Sequence, residues 1–342
     1  MGARSWSQIL VVASLWGGAF ALIKIALEDL SPGALAFART LIAAAALLGI
    51  VLARAALSDS RRRPTAIVPA RPALSDSRRR PARDGAAHAA LSDLRRRPGA
   101  AVLLGLFGTA LPYLLIGVGE LHVSSGLAAV LLSPVSLFVA GMAPLADRTE
   151  ILARGQVAGF ALGLIGVALV VGVDAAGTPA EALGALALLG ATASYAAGNL
   201  VVKRLYASTP RSTAALLGAA AAAVLTAPLA LADPPAAAPG ADTIGAVVVL
   251  GLGSTALATL LFYGLIGREG AARAGVTSYL VPSLGLACGA LLLGESVTAG
   301  ALAGLPLILA GVWLASRRRF TLLGEGSRSG SGCRTCHRAR PW

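Results

Sequence analysis

The chain alternates long apolar runs with short polar breaks, and this pattern predicts its elements directly. Windows of roughly 20 mostly apolar residues, the length needed to cross about 30 Å of hydrocarbon, fall at residues 7–27, 33–53, 100–120, 124–146, 155–173, 182–202, 212–232, 243–266, 273–294 and 299–316. The runs are rich in Ala, Leu, Val and Gly, and their connections are mostly short. No ten-residue polar/apolar alternation occurs, so helices rather than a β-barrel are expected to satisfy the backbone in lipid. The expected fold class is an all-α integral membrane protein of ten transmembrane helices.

The pattern also repeats. Trp16 and Lys24, followed by Ser31-Pro32, return with the same spacing as Tyr195 and Lys203, followed by Thr209-Pro210. LGLFGTAL beginning at Leu104 returns as LGLGSTAL beginning at Leu250, and Pro134, Gly141 and Asp147 return as Pro282, Gly289 and Glu295. Five spans per unit is an odd number, so the second copy must enter the membrane upside down, as inverted repeats of secondary transporters do. The expected organisation is a first repeat with two helices in residues 1–54 and three in 99–175, and a second repeat over 176–319. Residues 55–98 are expected to be an Arg-rich insertion, and 320–342 a tail. The insertion carries ALSDSRRRP at Ala56 and Ala73 and ALSDLRRRP at Ala90, a tandem 17-residue period in a composition that cannot build a core. It is expected to be disordered, with a regulatory or lipid-contacting role left open.

Composition agrees with the apolar pattern, and charge adds orientation. Of 342 residues 56% are hydrophobic and 13% charged, with a mean hydropathy of +0.76, too apolar for one soluble core. The net charge of +13 would suit nucleic acid, but its placement argues otherwise. With the N-terminus cytoplasmic, every Lys and Arg except Lys24 and Arg39 falls in a segment on that same side. Such segregation follows the positive-inside rule and puts both termini in the cytoplasm. The basic excess therefore reports topology and some attraction to anionic lipid, and no nucleic-acid partner is expected.

Three sequence features resemble a known family. They are LWGGAFALIKIALEDLSPGALAFARTLIAA from Leu15, the Gly-Leu-Ala-Ala-Val after Ser125 leading to Pro134, and LLLGESVT over 291–298. Together they resemble the EamA-type transporters of the drug/metabolite transporter superfamily over roughly residues 7–318 minus the insertion. The resemblance implies two inverted EamA repeats in a plasma or inner membrane and, often, export of amino acids or related metabolites. Ala146-Asp147-Arg148 departs from the Gly-Glu pair usual at that turn, which Gly294-Glu295 retains.

Candidate substrate-binding residues follow from the cost of polar groups in lipid. Lys24 and Arg39 lie inside apolar windows and are costly unless they face protein or water. They could form a cationic patch for a carboxylate or phosphate. Alternatively, Lys24 snorkels to the interface and Arg39 bonds helix-end carbonyls. Trp16 and Tyr195 hold equivalent places in the two repeats, and Asn199 stands one turn beyond Tyr195. With Tyr113 they suit a solute with apolar and polar parts, or they pack between helices. Pro134 and Pro282 mark matched kinks that could act as hinges or be static. Gly155, Gly159 and Gly163, echoed by Gly300 and Gly304, form a small-residue ridge that fits packing within one protomer or a homodimer face.

Acids cluster at window ends, so no proton relay through a buried carboxylate is visible, and coupling is either absent or uses Glu120 or another end-of-helix group. No P-loop, His-rich metal set or GxSxG elbow occurs. Cys333, Cys336 and His337 spell CxxCH, but the tail offers neither the fold nor the compartment for haem, so no cofactor is expected. The expected function is secondary transport of a small metabolite. A membrane-embedded enzyme on lipid-linked substrate and a non-transporting scaffold are the alternatives.

Overall fold

The structure is a computed structural model, and it describes residues 2–60, 92, 94, 96–146, 154–174, 178–206, 209–269 and 274–316. The described residues are helical, with no strand among them. Eight helices are long and apolar enough to cross a membrane: α1 Ala3–Ala26, α2 Pro32–Ala53, α3 Pro98–Glu120, α4 Ser125–Met142, α5 Arg154–Gly172, α6 Pro179–Leu205, α7 Arg211–Ala232 and α8 Ala241–Glu269. Two shorter apolar helices follow, α9 Thr277–Leu293 and α10 Ala299–Ala315. Large side chains such as Val224 and Leu291 are 74% and 84% exposed, which suits lipid rather than water as the surrounding solvent.

Hydrogen bonds between helix ends fix how the elements alternate. The start of α1 meets the end of α8 through Ser5 Oγ, which donates to Glu269 Oε1 over 2.6 Å. The start of α7 meets the same end through Arg211 Nη1 and the Tyr263 carbonyl at 2.9 Å. At the opposite end, Asp29 after α1 accepts from the Gly240 N–H and Thr243 Oγ1 at the start of α8, over 2.8 and 2.7 Å. The bonds place α1 and α7 in one direction and α8 in the other.

Glycines show that each half packs on the other in matched ways. A Cβ on Gly105 of α3 would come within 2.9 Å of the Ala222 backbone nitrogen on α7, and one on Gly251 of α8 within 2.7 Å of Ile42 Cγ2 on α2. These glycines are the second residues of the two LGL motifs. The same contact is thus made twice, each time by one half's third helix on the other half's second, and only glycine permits that approach.

Three features differ from the sequence expectation. Within α3 and α8 the backbone widens to π-helical turns at Leu106–Ala110 and Val249–Leu257, so the repeated LGLxxTAL motif marks a wide turn as well as close packing. Pro134 interrupts α4 between segments Ser125–Leu132 and Val135–Ala146, whereas Pro282 lies inside a continuous α9. The matched prolines therefore sit differently, one between helix segments and one inside a helix. The second helix also continues to Ser60, past the boundary expected at residue 54. Most of the 55–98 insertion lies outside the described residues, as do Asp147 and the tail with Cys333, Cys336 and His337.

The small-residue ridge packs within the chain. A Cβ on Gly159 would meet the Gly311 carbonyl of α10 at 2.6 Å, and one on Gly166 the Gly304 carbonyl at 2.9 Å. Gly155 has open space around it.

Candidate functional site

A cavity of about 370 Å³ lies between the halves, bounded by residues of α1–α4 from the first and α6–α9 from the second. Arg39 is the one charged side chain among the described residues that line it. It stands two turns into α2 and is 6% exposed. Its guanidinium is held by the second half: Nε donates to Thr255 Oγ1 over 2.8 Å and Nη2 to Ser254 Oγ over 2.9 Å. The same group lies 3.9 Å above the Tyr113 ring, a cation–π contact strengthened where water is excluded. Arginine carries five N–H donors, and these two bonds leave donor capacity for an anion.

The π-helical stretch of α8 makes this anchorage possible. In π-helical geometry each carbonyl pairs five residues on, and Thr255 Oγ1 donates to the Leu250 carbonyl, five residues back, over 2.9 Å while accepting from Arg39. The Ser254 carbonyl accepts from Trp16 Nε1 over 3.1 Å. Tyr113 Oη stands 3.4 Å from Thr255 Oγ1. One distorted turn therefore gathers side chains from α1, α2 and α3 around a single locus.

Of the residues singled out from sequence, Trp16, Arg39, Tyr113, Tyr195, Asn199 and Pro282 all line the cavity. Trp16 packs against Phe262 with ring centroids 5.0 Å apart. Asn199 is exposed within this lining and its side chain makes no hydrogen bond among the described residues, so its amide is available to a solute. Lys24 and Pro134 are not among the lining residues. Lys24 Nζ instead donates to the backbone oxygens of Glu120 and Val123, the latter at 3.0 Å. It closes the end of α3, the carbonyl-bonding role that sequence reading had considered for Arg39. Arg39, in turn, bonds hydroxyls rather than carbonyls.

Sequence reading missed Ser254 and Thr255. The signal was present: where the first repeat has Gly108-Thr109, the second has Ser254-Thr255, an added hydroxyl in an apolar span. Phe262 and Ser278, also in the lining, carried no comparable mark.

Helix ends on one side of the cavity are tied together. Besides the Lys24 bonds, Glu295 in the turn after α9 accepts from the Ser125 N–H and hydroxyl, both at 2.8 Å, and from the Gly126 N–H at 3.0 Å, capping α4. Asp29 caps α8 beside it, and those two donors, the Thr243 hydroxyl first and the Gly240 N–H second, hold its carboxyl below the usual range. Toward the opposite end the lining continues to Val202, Ala214 and Tyr263.

Comparison with known proteins agrees with this architecture. The profile of the EamA-like transporter family matches residues 5–172 and 182–317, one match for each half. An "uncharacterized transporter" of Archaeoglobus fulgidus is 25% identical over 317 residues, covering 92% of this chain and all of that protein. A "probable amino-acid metabolite efflux pump" of Salmonella typhimurium is 34% identical over 202 residues, covering 56% of this chain and 67% of that protein. A solved crystal structure superposes with a TM-score of 0.57 at 20% identity, covering 92% of this chain and 97% of that one. The family match over both halves, together with the multi-pass apolar helices, makes the protein a membrane transporter, and the chain belongs to the EamA-like transporter family.

Proposed function

We propose that this protein is a ten-span secondary transporter that moves a small metabolite bearing an anionic group, by alternating access between two inverted halves. The observation that carries the reading is the Arg39 guanidinium. It is desolvated at the wall of a cavity between the halves, held by first-half Tyr113 and second-half Ser254 and Thr255, with donors to spare. A charge in that position is costly unless a ligand uses it. The cavity volume falls within the lower range for small-molecule sites. Apolar walls with Trp16, Tyr195 and Phe262 suit a carboxylate with an apolar body, and Asn199 suits a further polar group. The Salmonella relative, a probable amino-acid metabolite efflux pump, supports amino acids or related metabolites as the class and export as the direction.

The distribution of basic residues supports a plasma-membrane protein with both termini cytoplasmic. The tied end, with Asp29, Glu120 and Glu295, then faces outward, and this conformation offers the cavity to the cytoplasm. Rocking of one half against the other would exchange the two sides.

Reconstitution into liposomes with a panel of labelled amino acids, nucleosides and sugar phosphates tests the proposal. Saturable flux of an anionic member, lost in Arg39→Ala, is the expected result. Flux of neutral or cationic solutes that is indifferent to Arg39 would sink the substrate assignment, and chemical conversion without flux would sink transport itself.

A further inference from the structure

Glu120, the last residue of α3, is 0% exposed, and neither of its carboxylate oxygens has a hydrogen-bond partner among the described residues. Two acids at this end have donors: Glu295 three from the start of α4, and Asp29 two from the start of α8. Lys24 stands beside Glu120, yet its ammonium donates to the backbone oxygens of Glu120 and Val123 and not to the carboxylate.

The charges that act on Glu120 come from Lys24 on α1, Arg39 on α2 and Glu295 after α9. From α4, the Ser125 hydroxyl is already donated to Glu295. From α6, Leu188 and the Gly184 carbonyl crowd the adjacent Gly119, and the acid of that helix, Glu181, is engaged in a capping box with Thr178. His122 lies on the turn that follows Glu120.

An ionised carboxylate without donors in a water-free site is strongly disfavoured, whereas a neutral acid tolerates such a site far better. The closed arrangement of this end therefore calls for a proton on Glu120. Opening this end would take Lys24 off the helix-end carbonyls and admit water, which would let the carboxylate ionise beside a freed ammonium.

We propose that Glu120 is a proton-binding site whose occupancy closes the Asp29–Glu120–Glu295 end of the cavity: a proton taken from the solvent on that side is buried on closing and returned on opening. The site lies outside the substrate cavity and uses none of its lining residues. It rests on the alternating-access reading, because it needs this end to open.

A cysteine reporter tests the site without knowledge of the substrate. Leu127, in the first turn of α4, is 5% exposed, and Ala237 lies exposed in the α7–α8 connection. Leu127→Cys is introduced with Cys288, Cys333 and Cys336 each changed to serine. It is labelled in intact cells by a membrane-impermeant maleimide between pH 5 and 9, and the rate is divided by that of Ala237→Cys to remove thiol ionisation. The relative rate is expected to rise up to about tenfold per pH unit before a plateau, as one-proton linkage requires. Glu120→Gln should hold it low at every pH, and Glu120→Asp should restore a pH response.

A wild-type rate that is measurable but flat overturns the proton site alone, as does a pH response that survives Glu120→Gln. Absence of labelling at every pH overturns the opening itself, and the transport reading with it. Should Glu120→Gln fail to reach the membrane, the wild-type profile and Glu120→Asp still decide the matter.

Discussion

The Arg39 guanidinium lies 3.9 Å above the ring of Tyr113 while two of its nitrogens bond hydroxyls of the opposite half. The charge is thus oriented by both halves at once, and its role should depend on the planar fork as well as on charge. Arg39→Ala is expected to reduce flux at least about tenfold, the worth of one charge-assisted bond. Arg39→Lys keeps the charge but loses the fork and much of the stacking, so intermediate flux with a raised KM is expected. Equal activity of the lysine variant and the parent would show that charge alone suffices. Membrane expression, read by immunoblot, should be retained in both variants.

Thr255 and Ser254 are adjacent, yet they should not be equivalent. Thr255 Oγ1 accepts from Arg39 and donates to the Leu250 carbonyl within the π-helical turn, whereas Ser254 Oγ only accepts from Arg39. Thr255→Val removes both bonds and leaves the buried Arg39 Nε without its partner, which should cost about 1–3 kcal/mol in the stability of the purified protein. Ser254→Ala should cost less and act mainly on KM. Thermal unfolding in detergent beside flux measurements separates the two effects, and equal losses of stability would remove the special role of the wide turn.

The helical class and the two-repeat plan were legible because lipid demands long apolar runs, and a duplicated gene leaves its spacing behind. Trp16, Arg39, Tyr113, Tyr195 and Asn199, which line the cavity, stood out because polar or amphipathic groups in such runs need a reason to be there. What could not be read was direction around the helix axis. Lys24 and Arg39 look alike as cations inside apolar windows, but one sits near the end of its helix and reaches free carbonyls, while the other sits two turns in and finds hydroxyls. The π-helical turns re-aim Ser254 and Thr255 by an amount that no regular periodicity encodes. Pro134 and Pro282 align in sequence, but only the first ends a helix segment.

Asp29 offers a pH test at the surface end of the site. Its carboxyl is held below its ordinary value by the Thr243 hydroxyl and the Gly240 N–H, so the folded state favours its ionised form. A depressed value contributes stability above the unfolded value, about 3.9, and the contribution fades as pH falls through the lower folded value. Asp29→Asn can still accept both hydrogen bonds but carries no charge. The unfolding temperature of the variant should therefore lie below that of the parent at pH 5 to 7, with the gap closing as pH drops below about 4. A gap that persists in acid would assign the difference to packing.

The α5–α10 pair should be the most sensitive to added volume and the least involved in transport chemistry. A Cβ on Gly311 would stand 2.6 Å from both the Gly159 carbonyl and the Gly163 nitrogen, backbone atoms that cannot rotate away. Gly311→Val must therefore push the two helices apart, at a cost of about 1–3 kcal/mol or more. No residue of α5 or α10 lines the cavity among the described residues, so the KM of the fraction that folds should stay close to that of the parent. Gly155→Val, on the same ridge but facing open space, should leave stability unchanged if the ridge serves only within one chain. A loss of stability or a change of oligomeric state in Gly155→Val, measured by light scattering in detergent, would instead show that this part of the ridge meets a second copy.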